Sequence, residues 1–277
     1  MSDPGVDLDL AAACAAVESS SPLINAVTNN VTINDVANVM LYWGGLPVMA
    51  ENRRDVGDMV ATADGCLLNT GDVSPDGEAT MLTAGRAAAE HDLPVVLDPV
   101  GAGATPTRSR LADRLLTELE VTILKGNHGE VGAIAGTDAT VRGVEAVGEY
   151  GDIAEQAMAC ARETDAIVIA SGATDIVADG EQAYEVDVGD PMMGRFVGSG
   201  CTLGATAAVF AAAIDDPLEA ALAATAAFGL AGERAAAGDY AGPASYRTTF
   251  FDTIATLDPT TEETAAVKER INRVISE

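Results

Sequence analysis

Short, β-branched apolar runs alternate along this chain with longer stretches whose apolar residues recur at helical spacing. "LINAV" (Leu23–Val27) predicts a strand and "TINDVANVMLYWG" the helix after it. "LPVMA" is strand-like and "RRDVGDMVATA" helical. "GCLLN" leads into "SPDGEATMLTAGRAAAEHD", where Ser74 is placed to cap a helix with Pro75 at its first position. "PVVLDPVG", bounded by Pro94 and Pro99, is the clearest strand, and "RSRLADRLLTEL" followed by "VTILKGN" repeats the alternation. "DIAEQAMACARETD" precedes "AIVIASG", and two short runs, "TDIVAD" and "EQAYEVD", predict a hairpin. The last third of the chain reads as nearly all helix.

Repeated βα units predict an α/β fold, a three-layer αβα arrangement in which helices cover both faces of a mainly parallel sheet. The hairpin adds antiparallel strands at one edge. No stretch rich in proline, glycine or serine interrupts the pattern, so residues 1–277 are expected to form a single domain. Ligands of such folds gather at the carboxyl ends of the strands. The residues expected there are Thr28, Asn29 and Asn30; Met49; Asn69, Thr70 and Gly71; Asp98 with Gly101 to Gly103; Lys125, Gly126, Asn127 and Glu130; and Ser171 and Gly172.

Composition narrows the partners. The 277 residues carry 43 acidic against 15 basic side chains, a net charge of -28, and only Lys125 and Lys268 are lysines. So acidic a surface repels nucleic acid. Scattered acid with few lysines and much alanine suits solubility in very salty cytoplasm, where charge is screened within ~3 Å at 1 M salt. The start "MSDPGVDLDL" is unlike a signal peptide, and the apolar run "CTLGATAAVFAAAI" is too short to span a bilayer, so a cytoplasmic protein without membrane contact is expected. Cys14, Cys66, Cys160 and Cys201 form no CxxC pair, which argues against a zinc site or a disulfide framework.

Three constellations carry candidate chemistry. In "GRFVGSGCTLGA" the glycines allow close backbone approach, and the amides of Ser199, Gly200, Cys201 and Thr202 begin a helix that can receive an anion. Neither a GxxxxGK[ST] motif nor a dinucleotide fingerprint at the first strand is present. Cys201 in the first turn of that helix is expected to be more acidic than a free thiol. It serves as inert packing, as a nucleophile, or in a less usual role. A cysteine hydrolase also needs a histidine base; of His91 and His128, only His128 lies near a strand end. Asp98 and Glu130, in neighbouring βα units, are oxygen ligands suited to Mg²⁺, though either could simply end a strand or begin a helix. Lys125 is a phosphate contact or a salt bridge. Asn25, Thr28, Asn29 and Asn34 cap a helix or line a small-molecule pocket, and Trp43 reads as core.

The blocks "AVTNNVTINDVANVML", "LPVMA", "LLNTG", "PVVLDPVGAGATPTR", "LKGNHGE", "VRGVEAVG", "VGSGCTLGA" and "GPASYRTTFFDTIATL" occur in this order. From about Pro22 to about Leu257 the chain resembles the hydroxyethylthiazole kinases of the ribokinase-like superfamily, which act in thiamine salvage. The resemblance implies transfer of the ATP γ-phosphate to the hydroxyl of 4-methyl-5-(2-hydroxyethyl)thiazole. By position it implies that Met49 and the Gly198 backbone contact the thiazole, that Lys125 and Ser171 contact the nucleotide beside Ser199 and Gly200, and that Asp98 and Glu130 are the Mg²⁺-associated acids. Cys201 then occupies the place of the aspartate that most ribokinase-like enzymes use toward the alcohol. The resemblance also implies a homotrimer whose pockets form between subunits, near Asn25 to Thr28 and Asn69 to Gly71. Three positions depart from the usual pattern: Ser199 for alanine, Lys125 for arginine, which loses the planar bidentate fork, and Ser171 for threonine. The rival readings are a ribokinase-like kinase for another small alcohol and a hydrolase using Cys201 with His128.

Overall fold

The computed structural model describes residues 8–72, 74–136, 141–142, 145–146 and 153–276. The parallel part of its sheet is built from β1 (Leu23–Val27), β2 (Leu46–Val48), β3 (Gly65–Asn69), β4 (Val95–Asp98) and β5 (Ile123–Asn127). The helices between them are α2 (Ile33–Tyr42), α3 (Val56–Val60), α4 (Pro75–Glu90) and α5 (Pro106–Glu118), and α1 (Leu10–Ser20) precedes them. Next come α6 (His128–Ile134) and the two-residue strands β6 (Val141–Arg142) and β7 (Glu145–Ala146), which pair with each other; the rest of "VRGVEAVG" lies outside the described residues. The chain continues through α7 (Ile153–Thr164), β8 (Ile167–Ser171), β9 (Asp175–Ala178), β10 (Gln182–Val186) and a 3₁₀ turn at Pro191–Arg195. It closes with α8 (Ser199–Ala213), α9 (Pro217–Ala236), α10 (Pro243–Ala255), α11 (Thr261–Lys268) and β11 (Ile271–Ser276).

Nine strands form one sheet in the order β11-β10-β9-β8-β5-β4-β3-β1-β2. The strands from β2 to β8 run parallel, and β9, β10 and β11 continue the edge antiparallel. The alternation of side chains along each strand divides two cores. Leu67, Val96, Ile123 and Ile169 face α1, α2, α8, α9 and α10. Cys66, Leu68, Val95, Leu97, Leu124 and Val168 face α3, α4, α5, α6 and α7. This is the expected three-layer arrangement.

Local chemistry explains the helix starts. Ser74 accepts from the Gly77 amide ahead of Pro75, and Thr105 accepts from the Arg108 amide ahead of Pro106. Trp43 is core, as expected. It donates from Nε1 to Thr206 Oγ1 at 2.8 Å and meets Phe210 edge-on, with ring centroids 5.3 Å apart. Two elements differ from the sequence reading. Helix α1 adds a layer element before the first expected strand, and β11 turns the all-helical ending into an edge strand paired antiparallel with β10. No helix among the described residues is long and apolar enough to cross a membrane.

Candidate active site

The polar residues at the tips of β3, β4 and β5 share one face of the sheet because the residues two positions before them do. Leu67, Val96 and Ile123 face α8, so Asn69, Asp98 and Lys125 do as well. Asn69 and Asp98 are register partners. Lys125 lies one step beyond the Leu97–Leu124 pair and so beside Asp98. Asn69 Nδ2 donates to Asp98 Oδ2 at 2.7 Å, and Lys125 Nζ stands 3.5 Å from Asp98 Oδ1. Asp98 is 0% exposed and Lys125 3%, so a charge pair has been taken wholly out of water. Burial raises the Asp98 carboxyl against the opposing pull of Lys125 and Asn69. Burial also works against the Lys125 ammonium, but Asp98, Glu130 and Cys201 together outweigh it and hold its pKa up.

Glu130 closes the cluster from α6. Asn127 and Glu130 form a capping box, in which the Asn127 side chain accepts from the Glu130 amide and Glu130 Oε2 accepts from the Asn127 amide at 2.8 Å. Glu130 Oε1 accepts from the Gly101 amide at 2.6 Å, which ties the "DPVGAG" loop to α6. Burial raises this carboxyl to about 7 against the pull of Lys125. The cap reading of Glu130 and its place beside Lys125 and Asp98 therefore both hold in the structure.

Helix α8 brings its glycine loop over this cluster. Its N-cap, Gly198, has φ +99°, and a Cβ there would lie 2.8 Å from Thr32 Cγ2, so the loop needs glycine at this position. Gly200 and Gly204, one helical turn apart, face the charge pair. A Cβ on Gly200 would come 2.9 Å from Lys125 Nζ, and one on Gly204 would come 3.3 Å from Asp98 Oδ2. The glycines of "GSGCTLG" thus clear space for a buried lysine and aspartate, a purpose their local pattern did not reveal. The Thr202 amide is used within the helix, donating to Gly198 O at 2.9 Å. The anion-receiving set expected at residues 199 to 202 is therefore narrowed to the amides of Ser199, Gly200 and Cys201.

Cys201 lies beside Asn29, whose Nδ2 is 3.7 Å from Sγ. The thiol does not follow the expectation of enhanced acidity. Burial and then Asp98 raise its pKa, while Lys125 and hydrogen bonds from Thr32 and Asn69 pull it down. His128 turns elsewhere: its Nε2 is 3.1 Å from Thr174 O, its ring leaves no room for a Cβ on Gly172, and burial lowers its pKa. That ring is a wedge under the turn between β8 and β9, whereas the thiol's neighbours are Asn29, Thr32, Asn69, Asp98 and Lys125.

The remaining candidates are dispersed around this centre. Asn25 is 0% exposed and clamps the end of β2, accepting from the Ala50 amide at 3.3 Å and donating toward Ala50 O at 3.5 Å. It thereby fixes the backbone beside Met49, which is half-buried against the α8 core. Thr28 is buried at the tip of β1, and its Oγ1 has no hydrogen-bond partner. Ser171 donates to Gly126 O at 3.3 Å, beside Lys125 in sequence. Among the described residues, no group of three or more His, Cys, Asp or Glu side chains could hold a metal ion. Asp98 and Glu130 are the acids closest to the charge centre.

Residues 14–260 match the model of the hydroxyethylthiazole kinase family. The chain belongs to the hydroxyethylthiazole kinase family. It is 60% identical over 279 residues to a hydroxyethylthiazole kinase of Natronomonas pharaonis, covering 100% of this chain and 99% of that one. The solved structure of the hydroxyethylthiazole kinase protein from Pyrococcus horikoshii superposes with a TM-score of 0.83 at 32% identity, covering 96% of this chain and 98% of that one. A ribokinase-like superfamily protein from Enterococcus faecalis shares the fold, with a TM-score of 0.62 at 12% identity over 94% of this chain and 93% of that one.

Proposed function

We propose that this member of the hydroxyethylthiazole kinase family transfers the γ-phosphoryl group of ATP to the hydroxyl of 4-methyl-5-(2-hydroxyethyl)thiazole, in thiamine salvage. The observation that carries this reading is the stacking of the α8 N-terminus on the buried Lys125–Asp98 pair, with Cys201 in the first turn of that helix. The amides of Ser199, Gly200 and Cys201 together with the Lys125 ammonium offer positive charge to a transferring phosphoryl group. In the transfer, the alcohol oxygen bonds to the γ-phosphorus, the bond from phosphorus to the β–γ bridging oxygen breaks, and ADP leaves. The alcohol proton passes toward Cys201 Sγ. The transition state is loose, so positioning and charge neutralisation matter more than a strong base. The step runs through the thiolate of Cys201, which becomes the thiol as it takes the proton; the raised pKa makes that thiolate scarcer but a stronger acceptor, and the loose transition state calls on it late.

Asp98 and Glu130 fit a magnesium ion that keeps most of its water. Both offer hard carboxylate oxygens, each oxygen already accepts one protein hydrogen bond, and a second lone pair per oxygen remains for metal-bound water. When bound, Mg²⁺ would neutralise charge on the ATP phosphates. Met49 and the Gly198 backbone are assigned to the thiazole, and Lys125, Ser171, Ser199 and Gly200 to the nucleotide. Asn25 acts through Ala50 and Met49, and Thr28 lies at the same edge. We also take the chain as one cytoplasmic domain that works as a homotrimer with pockets between subunits. Apolar exposure supports a partner there, since Val31 (78%) and Val197 (74%) flank Asn29, Thr32 and Gly198. The acidic surface supports work in concentrated salt.

The test is ADP release coupled to formation of the thiazole phosphate, followed by mass spectrometry in high salt with Mg²⁺. Substrate-dependent ADP and a product 80 Da heavier than the alcohol support the reading; ADP release only with other small alcohols overturns its substrate. His128→Ala should retain activity, because that ring serves the β8–β9 turn. Loss of nearly all turnover with the fold intact would favour a Cys201–His128 hydrolase.

A further inference from the structure

The proposed reaction uses the Cys201 sulfur, and the structure shows what aims it. Three side chains meet Sγ: Asn29, Thr32 and Asn69. The hydrogen-bond network fixes which atom each presents. Asn29 Oδ1 accepts from the Val31 amide at 3.0 Å and the Thr32 amide at 3.1 Å, so Nδ2 is the atom facing the sulfur. Asn69 Oδ1 accepts from Asn29 Nδ2 at 2.9 Å and from the Gly71 amide at 3.0 Å, which fills both lone pairs. Asn69 Nδ2 gives one hydrogen to Asp98 at 2.7 Å and has a second for the sulfur. Thr32 Oγ1 accepts from Asn29 Nδ2 at 2.8 Å, which leaves its own hydrogen to donate. Thr32 is held in this pose by its methyl group, packed against the backbone of Gly198.

Asn29 Nδ2 spends its two hydrogens on Thr32 Oγ1 and Asn69 Oδ1, so Thr32 and Asn69 are the side chains with a hydrogen left for the sulfur, and Asn29 holds both in place. We infer that Thr32, Asn29 and Asn69 are positioning residues, a cradle in which Thr32 and Asn69 donate to the Cys201 sulfur, Asn29 orients both, and the thiolate keeps its third lone pair for the acceptor alcohol. The same relay continues through Asn69 to Asp98 and Lys125, so the thiol and the charge pair are held in one connected frame. The alcohol's role rests on the proposed kinase reaction; the aiming of the sulfur does not.

Thr32→Val keeps the shape of the side chain and removes its donor, and Thr32→Ser keeps the donor. One hydrogen bond is worth roughly a kcal/mol, so Thr32→Val should lower kcat by ~5–10-fold with the KM for the thiazole alcohol changed by less than ~2-fold. Thr32→Ser should restore kcat. Iodoacetamide alkylation of Cys201, followed peptide by peptide at one fixed pH without ATP or alcohol, should slow by ~5-fold in Thr32→Val and recover in Thr32→Ser. Asn29→Leu should slow it similarly and provides a second variant if Thr32→Val folds poorly. Wild-type alkylation rates in both Thr32→Val and Asn29→Leu, or equal losses in Thr32→Val and Thr32→Ser, would overturn the cradle. Because alkylation needs neither substrate, donor-dependent alkylation in a protein that phosphorylates no thiazole would sink the kinase reading and leave the cradle standing.

Discussion

The two ends of the sheet treat carboxylates in opposite ways. At the carboxyl end, Asp98 and Glu130 are buried and every carboxylate oxygen has a partner, with Lys125 between them. At the amino end, a cleft of about 450 Å³ is lined by Asp92, Glu120 and Asp215, all exposed to water, with Pro94 and Thr122 just ahead of β4 and β5. In a chain of net charge -28, acid beside a cleft says little by itself. Dehydrating a charge costs free energy that a matched partner only partly offsets. A fold that nevertheless buries two acids and one of its two lysines under a helix N-terminus has committed that end to charge chemistry.

The largest effect should come from breaking the buried pair. Asp98→Asn leaves the Lys125 ammonium buried beside a neutral amide, so unfolding free energy should drop by about 3–5 kcal/mol and kcat should fall by ~10³-fold or more. Adding Lys125→Met should return part of the lost stability but none of the activity. Denaturant melts of the two single variants and the double variant measure this coupling. If the losses simply add, the pair is not the unit described here.

Cys201→Ser tests the next tier. The hydroxyl keeps hydrogen-bonding capacity in the cradle but accepts a proton less readily, so kcat should fall by ~10²-fold with measurable turnover remaining. Intact-mass spectrometry during turnover should show no covalent phospho- or acyl-enzyme. A trapped adduct on Cys201 would replace the proton-acceptor role with a nucleophilic one.

The raised Glu130 carboxyl has a smaller and purely thermodynamic signature. Its pKa is about 7 in the fold against 4.5 unperturbed, so the folded protein binds this proton more tightly than the unfolded chain. The associated stability is fully present below 4.5 and is lost as pH rises through about 7, a change on the order of 3 kcal/mol for a nine-tenths-buried group. Urea melts of the ligand-free protein should show that decline, and Glu130→Gln should flatten it. An unchanged slope in Glu130→Gln would mean that another group titrates.

Much of this end was legible before the structure. Strand tips can be read from the two-residue alternation, so Asp98, Lys125 and Asn69 could be placed at the site, and Ser74–Pro75 marked a helix start. What the alternation does not carry is distance across the fold. Gly200 and Gly204 look like loop glycines until α8 is laid over β4 and β5, when they become the clearance for Asp98 and Lys125. Asn25, in the middle of β1, lies on the face opposite Ile24 and Ala26 and clamps Ala50, so the link it makes toward Met49 runs through backbone that sequence alternation does not display. The rule that helix starts acidify a thiol is local, whereas the burial and the Asp98 charge that raise the Cys201 pKa are tertiary. Strand β11 was hidden for a similar reason: "INRVIS" alternates too briefly to declare itself, and only pairing with β10, some ninety positions earlier, makes it a strand.

The smallest expected effect is at the amino end, and it tests the contrast most directly. The triple change Asp92→Asn, Glu120→Gln and Asp215→Asn removes three like charges from one cleft without touching a buried partner. Turnover and KM should stay within ~2-fold, since exposed charges this far from the chemistry are screened. Stability should move in the opposite direction from Asp98→Asn. Relief of repulsion should raise the melting temperature by a few degrees at low salt, and the gain should vanish near 1 M salt, where screening acts within ~3 Å. If the triple variant instead lost activity by ~10-fold, or kept its gain in 1 M salt, exposed acid at this cleft would have a role beyond solvation, and burial would no longer be what separates the two ends.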